Sequence, residues 1–478
     1  MFVSMIFPAF LGVVVALFFL LPVKWRPTIL LFASYVLCAW IDLWALLVLV
    51  VFSFSTWVAG RKLKKLLMMG KKRAGKIYTG IVVGFYIFIL CSYKYVPYFM
   101  KYAGFTQLSQ VGLLRNMVMP VGLSFYLFQA IGYLTDIYKE KSQAEKNFIY
   151  LSCYLAFFPK LVSGPILREQ DFLPQLRMLD KVTFKDRGRL STAFTYMLWG
   201  YFMKMVVADR LAVMVNQIFA SPELFDSFWL IIGVFFYTIQ IYCDFAGYSY
   251  IAIGCARIFG IHLTENFRAP YLASDITEFW RRWHISLSTW LRDYIYIPLG
   301  GNRKGFARKC INTMIVFLVC GMWHGAGFHF AAWGLLHGIY SVIEAFVRQK
   351  GWKVRGGKAI TFVEVAFAWI FFRADDFGAA VLYIIQMFTS GFHPEGWSQI
   401  MEILQLSTVE IILIILGITV IWLVDEFCSR KKLQLPVLIQ HKENAVRYLV
   451  FYLLIITIFV FGIYGPGYHA EQFIYMQF

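Results

Sequence analysis

The sequence predicts an all-α, polytopic membrane protein, and three observations carry that prediction. Of its 478 residues, 60% are hydrophobic and only 15% charged, with a mean hydropathy of +0.65, whereas soluble domains carry about a quarter charged residues. Apolar runs of roughly 17–25 residues, the span of a bilayer-crossing helix, recur along the whole length. The net charge of +18 is gathered into clusters between those runs, with eight Lys or Arg between Arg61 and Lys76 and further groups at 301–309, 348–358 and 430–432. Basic loops of this kind mark the cytoplasmic side of a membrane protein. A nucleic-acid platform would need interleaved exposed aromatics and phosphate-binding loops. About eleven or twelve membrane helices are expected, with re-entrant or interfacial pieces around a thin core, in one integral-membrane domain over 1–478. That domain divides into N-terminal helices (1–115), a motif-bearing core (116–346) and C-terminal helices (347–478).

Taken in order, Met1–Leu21 lacks a basic leader and reads as the first membrane helix rather than a cleavable signal. Crossing segments follow at about Thr28–Trp40, Leu43–Gly60 and Ile77–Tyr93. The basic turn at Lys24 and Arg26 and the Arg61–Lys76 loop agree on one orientation, N-terminus outside. Lys94–Arg115 is mixed and expected along the outer surface, and Asn116–Tyr138 returns. Phe157–Arg168 is apolar but short and broken by Pro159, Gly164 and Pro165, which suits a re-entrant segment. Leu190–Met214 and Phe228–Ile258 are further apolar blocks. His262–Asn312 is a polar interruption, where Trp280, Trp283 and Trp290 with Arg281, Arg282 and Arg292 suit short interfacial helices with rings at headgroup level. Met314–Phe330 and Ala331–Phe346 cross next. Segments near Ile360–Phe372, Ala379–Phe388, Thr408–Val424 and Tyr448–Ile463 complete the chain.

Chemistry concentrates between 278 and 337. Five of the eight histidines (His262, His284, His324, His329, His337) lie in or beside this stretch, and an ionisable group in a membrane segment marks a functional site. His324 sits in Gly321-Met322-Trp323-His324-Gly325-Ala326, where small neighbours allow close helix approach or a cavity. Burial disfavours the imidazolium, so the ring suits a base towards a hydroxyl or thiol. A structural histidine bonded to a carbonyl is the alternative. His284, beside two arginines, is either a second functional group or an interfacial histidine. Arg281, Arg282 and Arg292 suit an anionic donor or snorkelling to headgroups. Asp244, in a membrane-length block, suits a helix–helix hydrogen bond or a polar cavity. Metal binding is not expected, because the histidine spacing is wrong for a helical site and no carboxylate or Cys cluster completes a shell. The eight cysteines are scattered without a CxxC pair. No phosphate loop or Gly-x-Ser-x-Gly elbow argues for ATP-driven transport or serine hydrolysis.

The chain resembles the membrane-bound O-acyltransferases, in particular their bacterial polysaccharide O-acetyltransferase type. The resemblance rests on Met119–Tyr126 with Gln129, Phe158–Lys160 with Ser163–Pro165, Tyr242–Ser249, Asp275–Asn302, Gly321–Ala326 with Leu336–Gly338, Phe371–Ala374 and Phe473–Phe478. These motifs stand in family order over nearly the whole length. The resemblance implies a ring of helices around a thin core, where a tunnel meets a buried histidine. It implies that His324 is the essential histidine acting as base and that His284 helps bind or orient a reactant; Trp323, with Arg281, Arg282, Arg292 and Asp244, is a candidate for binding substrate or donor. It also implies acetyl-CoA or another acyl thioester as donor substrate, no bound cofactor, and a separate extracytoplasmic acetyltransferase of the SGNH type as partner. A bacterial cytoplasmic membrane is the expected location. The rival readings are D-alanyl transfer to teichoic acid and, in another class, a transporter or flippase without acyl chemistry.

Overall fold

The computed structural model describes residues 2–4, 6–103, 119–352, 357–393, 397–404 and 407–464. Regular structure among them is helical throughout. Seven helices are long and apolar enough to cross a membrane; the other expected crossings appear as shorter or interrupted helices. The chain forms a multi-pass membrane protein, whose contacts divide it into two compact units.

The first unit comprises Val3–Ala193 with Ala252–Thr264. Its helices are α1 (Ile6–Leu20), α2 (Arg26–Ile41), α3 (Leu43–Met68), α4 (Lys72–Tyr102), α5 (Leu123–Tyr138), α6 (Phe148–Ala156) and α7 (Glu169–Arg177). Asp42 starts α3 by accepting from the Trp44 N–H at 2.9 Å, the usual work of an N-cap carboxylate. Helix α3 then runs on through Arg61–Lys65, so the expected basic loop is helical except at the turn 69–71. Lysine and leucine are good helix formers, and long basic side chains can leave an apolar helix towards water. Similarly, α4 carries the chain to Tyr102, past the point where an irregular surface stretch was expected; residues 104–118 and 465–478, including Phe473–Phe478, lie outside the described residues. Gly122 begins α5 at φ 76°, where a Cβ would strike the Leu161 carbonyl. Residues 157–168 form no regular helix and are buried almost throughout, as the proline-broken run predicts.

The second unit comprises Phe194–Ile251 and Glu265–Phe478, with Phe2. It takes the end of α8 (Arg187–Tyr201), a π-helical stretch Phe202–Ala208, α9 (Asp209–Ala220) and most of α10 (Ser227–Ile258). The apolar block 190–214 is thus interrupted, and the interruption sits at Lys204. That ammonium is buried between Asp244 at 2.5 Å and Asp209 at 2.7 Å. Burying a cation in apolar surroundings is tolerable only when it is paired.

Next come α11 (Ile276–Arg282), α12 (Ile285–Leu291), α13 (Phe306–His324), α14 (Phe328–Gln349), α15 (Gly357–Arg373), α16 (Phe377–Thr389), α17 (Trp397–Ile403), α18 (Thr408–Lys431), α19 (Leu435–Gln440) and α20 (Asn444–Phe461). Helices α13 and α14 form a hairpin that meets backbone to backbone. A Cβ on Gly321 would strike the Phe330 carbonyl, and one on Gly334 the Phe317 carbonyl. Such small-residue contacts are how membrane helices approach closely. Two expectations are corrected here. The first crossing was expected to run from Met314 to Phe330 with His324 inside it; instead α13 stops at His324, and Gly325–Gly327 make the turn. Gly325 leaves the helix in an extended conformation, and only a residue without a side chain fits there, since a Cβ would overlap the Phe330 ring. The tryptophans 280, 283 and 290 were expected at headgroup level but are buried, because each finds aromatic partners within the unit.

Candidate active site

Two chain breaks build the site. His324 is the last residue of α13 and His284 immediately precedes α12. Both are buried, at 3% and 0% exposure. Their ring centroids lie 6.4 Å apart, inclined at 53°. Trp323 lies beside both, 6.1 Å from the His284 ring and 4.8 Å from that of His324. Phe245 packs edge-on to His284 at 4.7 Å. Trp333 and Phe372 pack edge-on to His324 at 5.1 and 5.3 Å. The two imidazoles therefore share an aromatic shell, and ring edges at these distances fix their orientations.

His284 has φ 42° and ψ 52°, a left-handed conformation uncommon for a residue with a side chain. Strained backbone that persists is held by its surroundings. Burial alone pulls its imidazole down to about 3, which favours the neutral ring, with one nitrogen that accepts and one that donates.

A third buried histidine, His337 on α14, accepts from the Trp280 indole N–H at 3.3 Å and lies among Trp333, Trp280 and Phe279. It belongs to the packing behind the site.

The other candidates have these surroundings. Asp244 pairs with Lys204. Arg282 is half-buried and held by Glu278 at 2.5 Å and Ser429 at 3.3 Å. Arg292 is exposed and paired with Asp293, and Arg281 is exposed on α11. Among the described residues, no three His, Cys, Asp or Glu side chains converge as metal ligands would. Sequence reasoning did not single out Trp333, which resembles any core aromatic, and had Phe245 and Phe372 only within the resemblance motifs Tyr242–Ser249 and Phe371–Ala374, without a place in the site.

A buried pair of imidazoles in an aromatic shell can move a proton between an incoming hydroxyl and a departing thiolate. Comparison with known proteins agrees with that chemistry. The family profile "MBOAT, membrane-bound O-acyltransferase family" matches residues 138–350, which include both histidines. The chain is 36% identical over 406 residues to the probable alginate O-acetylase AlgI of Pseudomonas putida, covering 82% of this chain and 79% of that one. It is 34% identical over 325 residues to the peptidoglycan O-acetyltransferase of Helicobacter pylori, covering 61% of each. It is 29% identical over 252 residues to the teichoic acid D-alanyltransferase of Streptococcus thermophilus, covering 49% of this chain and 59% of that one. The chain belongs to the membrane-bound O-acyltransferase family and is an acyltransferase.

Proposed function

We propose that the protein moves an acetyl group from a cytoplasmic thioester, acetyl-CoA or a related donor, for O-acetylation of an exported or cell-envelope polysaccharide. The observation that carries this reading is the His284–His324 pair, buried in one aromatic shell. His324 takes the proton of the accepting hydroxyl as its oxygen attacks the thioester carbonyl. The carbon–sulfur bond breaks, and the proton passes from the imidazolium to the departing thiolate, so charge and atoms balance. His284 and Trp323 hold the reactants against that ring. The similarity to alginate and peptidoglycan O-acetylating proteins supports an envelope polysaccharide as the final acceptor. An extracytoplasmic SGNH-type acetyltransferase is the partner that completes the transfer. The basic turns at Lys24/Arg26 and 61–76 favour an N-terminus outside a bacterial cytoplasmic membrane.

The test is ester-linked acetyl on envelope polysaccharide in cells carrying His324→Ala, with membrane abundance measured alongside. Loss of acetyl at normal abundance is expected. Unchanged acetylation sinks the catalytic role, and loss of D-alanyl rather than acetyl esters would move the reading to teichoic acid.

A further inference from the structure

The short helix α12 begins directly after His284, and its first N–H groups need acceptors. An N-cap side chain ordinarily supplies one, but the His284 side chain makes no capping bond to its own helix. Asn266, 1% exposed and eighteen residues upstream, supplies them instead. Its backbone carbonyl accepts from the Ile285 N–H at 3.0 Å. Its side-chain oxygen accepts from the Ser286 N–H at 3.3 Å and from the Ser286 hydroxyl at 2.6 Å. Its amide nitrogen donates to the Ser249 hydroxyl on α10 at 3.3 Å, which fixes which way the amide faces. The two residues after His284 are thus tied to one rigid side chain.

We infer that Asn266 is a positioning residue for the acyl transfer: by capping α12 from outside, it holds His284 in its left-handed conformation and so sets where the imidazole stands beside His324. Ser286 and Ser249 complete the clamp. The inference rests on the proposed role of His284, and the test separates the two.

Acetyl transfer from a labelled acetyl thioester is measured in membranes carrying the full-length chain with Asn266→Leu, Asn266→Asp or His284→Ala. Membrane abundance and melting temperature are recorded for each. Asn266→Leu, of similar size but without an acceptor, is expected to lower the rate at least tenfold at wild-type abundance, with only a small fall in melting temperature from the Ser286 N–H that loses its acceptor. Asn266→Asp keeps the acceptor for Ser286 and is expected to recover most of the rate. A wild-type rate in Asn266→Leu beside an inactive His284→Ala overturns the positioning role. So does equal loss in the Leu and Asp variants, or a rate loss in Asn266→Leu no larger than its loss of folded protein at the assay temperature. A wild-type rate in His284→Ala overturns the reading of His284 itself.

Discussion

The His284 and His324 rings lie 6.4 Å apart with Trp323 beside both, although forty residues separate them in the chain. Groups that handle one proton act as a unit, and their losses do not add. We therefore expect His324→Ala to reduce acyl transfer by about 10² to 10⁴-fold, the usual range for a general base. The His284→Ala/His324→Ala double variant should be no worse than the poorer single one. Rates from the four proteins at equal abundance check this, and simple multiplication of the two losses would show that the rings act separately.

The left-handed backbone at residue 284 makes a second prediction. Asparagine tolerates that conformation, whereas a β-branched residue does not. His284→Asn should keep the wild-type melting temperature and lose activity, while His284→Val should lose both. Equal melting temperatures for the two variants would mean that the conformation is not enforced.

The glycine contact between α13 and α14 predicts a stability loss. In Gly321→Ala the new methyl meets the Phe330 carbonyl, which is backbone and has little room to retreat. Overpacking of this kind costs about 1–3 kcal/mol. A thermal melt in detergent should show a lower midpoint for Gly321→Ala than for Gly12→Ala, where nothing lies within 4 Å.

Lys160 gives a prediction about pH. It is fully buried, donates to the Gln129 side-chain oxygen and lies 5.3 Å from the Tyr154 ring. Burial draws its ammonium from 10.5 down to about 7. Between those values the unfolded chain binds more protons than the folded one, so stability rises with pH across that window and is flat below it. Lys160→Met should remove the rise. Melting midpoints at pH 6, 7, 8 and 9 should show the wild type gaining on the variant from pH 7 upward, and parallel curves would contradict the assignment.

Much of this was legible in the sequence. Membrane helices announce themselves by length and hydropathy, and the break at Phe157–Arg168 by its prolines and glycine. His324 and His284 stood out as ionisable groups in or beside apolar runs. Where each helix stopped was less legible. The same glycines near His324 fit either a thin crossing helix or a turn, and only the Phe330 ring against Gly325 decides between them. The tryptophans near His284 suit headgroups or a core equally well, and their partners come from α13, α14 and α15. The ion cluster at Lys204 joins residues forty apart, and the cap from Asn266 leaves no periodic trace.

Helix α13 acts as a ruler. From Arg308 near its start to His324 at its end it rises roughly 24 Å at 1.5 Å per residue, most of the thickness of a bilayer's hydrocarbon core. The imidazole that ends the helix is thereby set almost a hydrocarbon core's depth away from the basic residues Arg308 and Lys309 at its start.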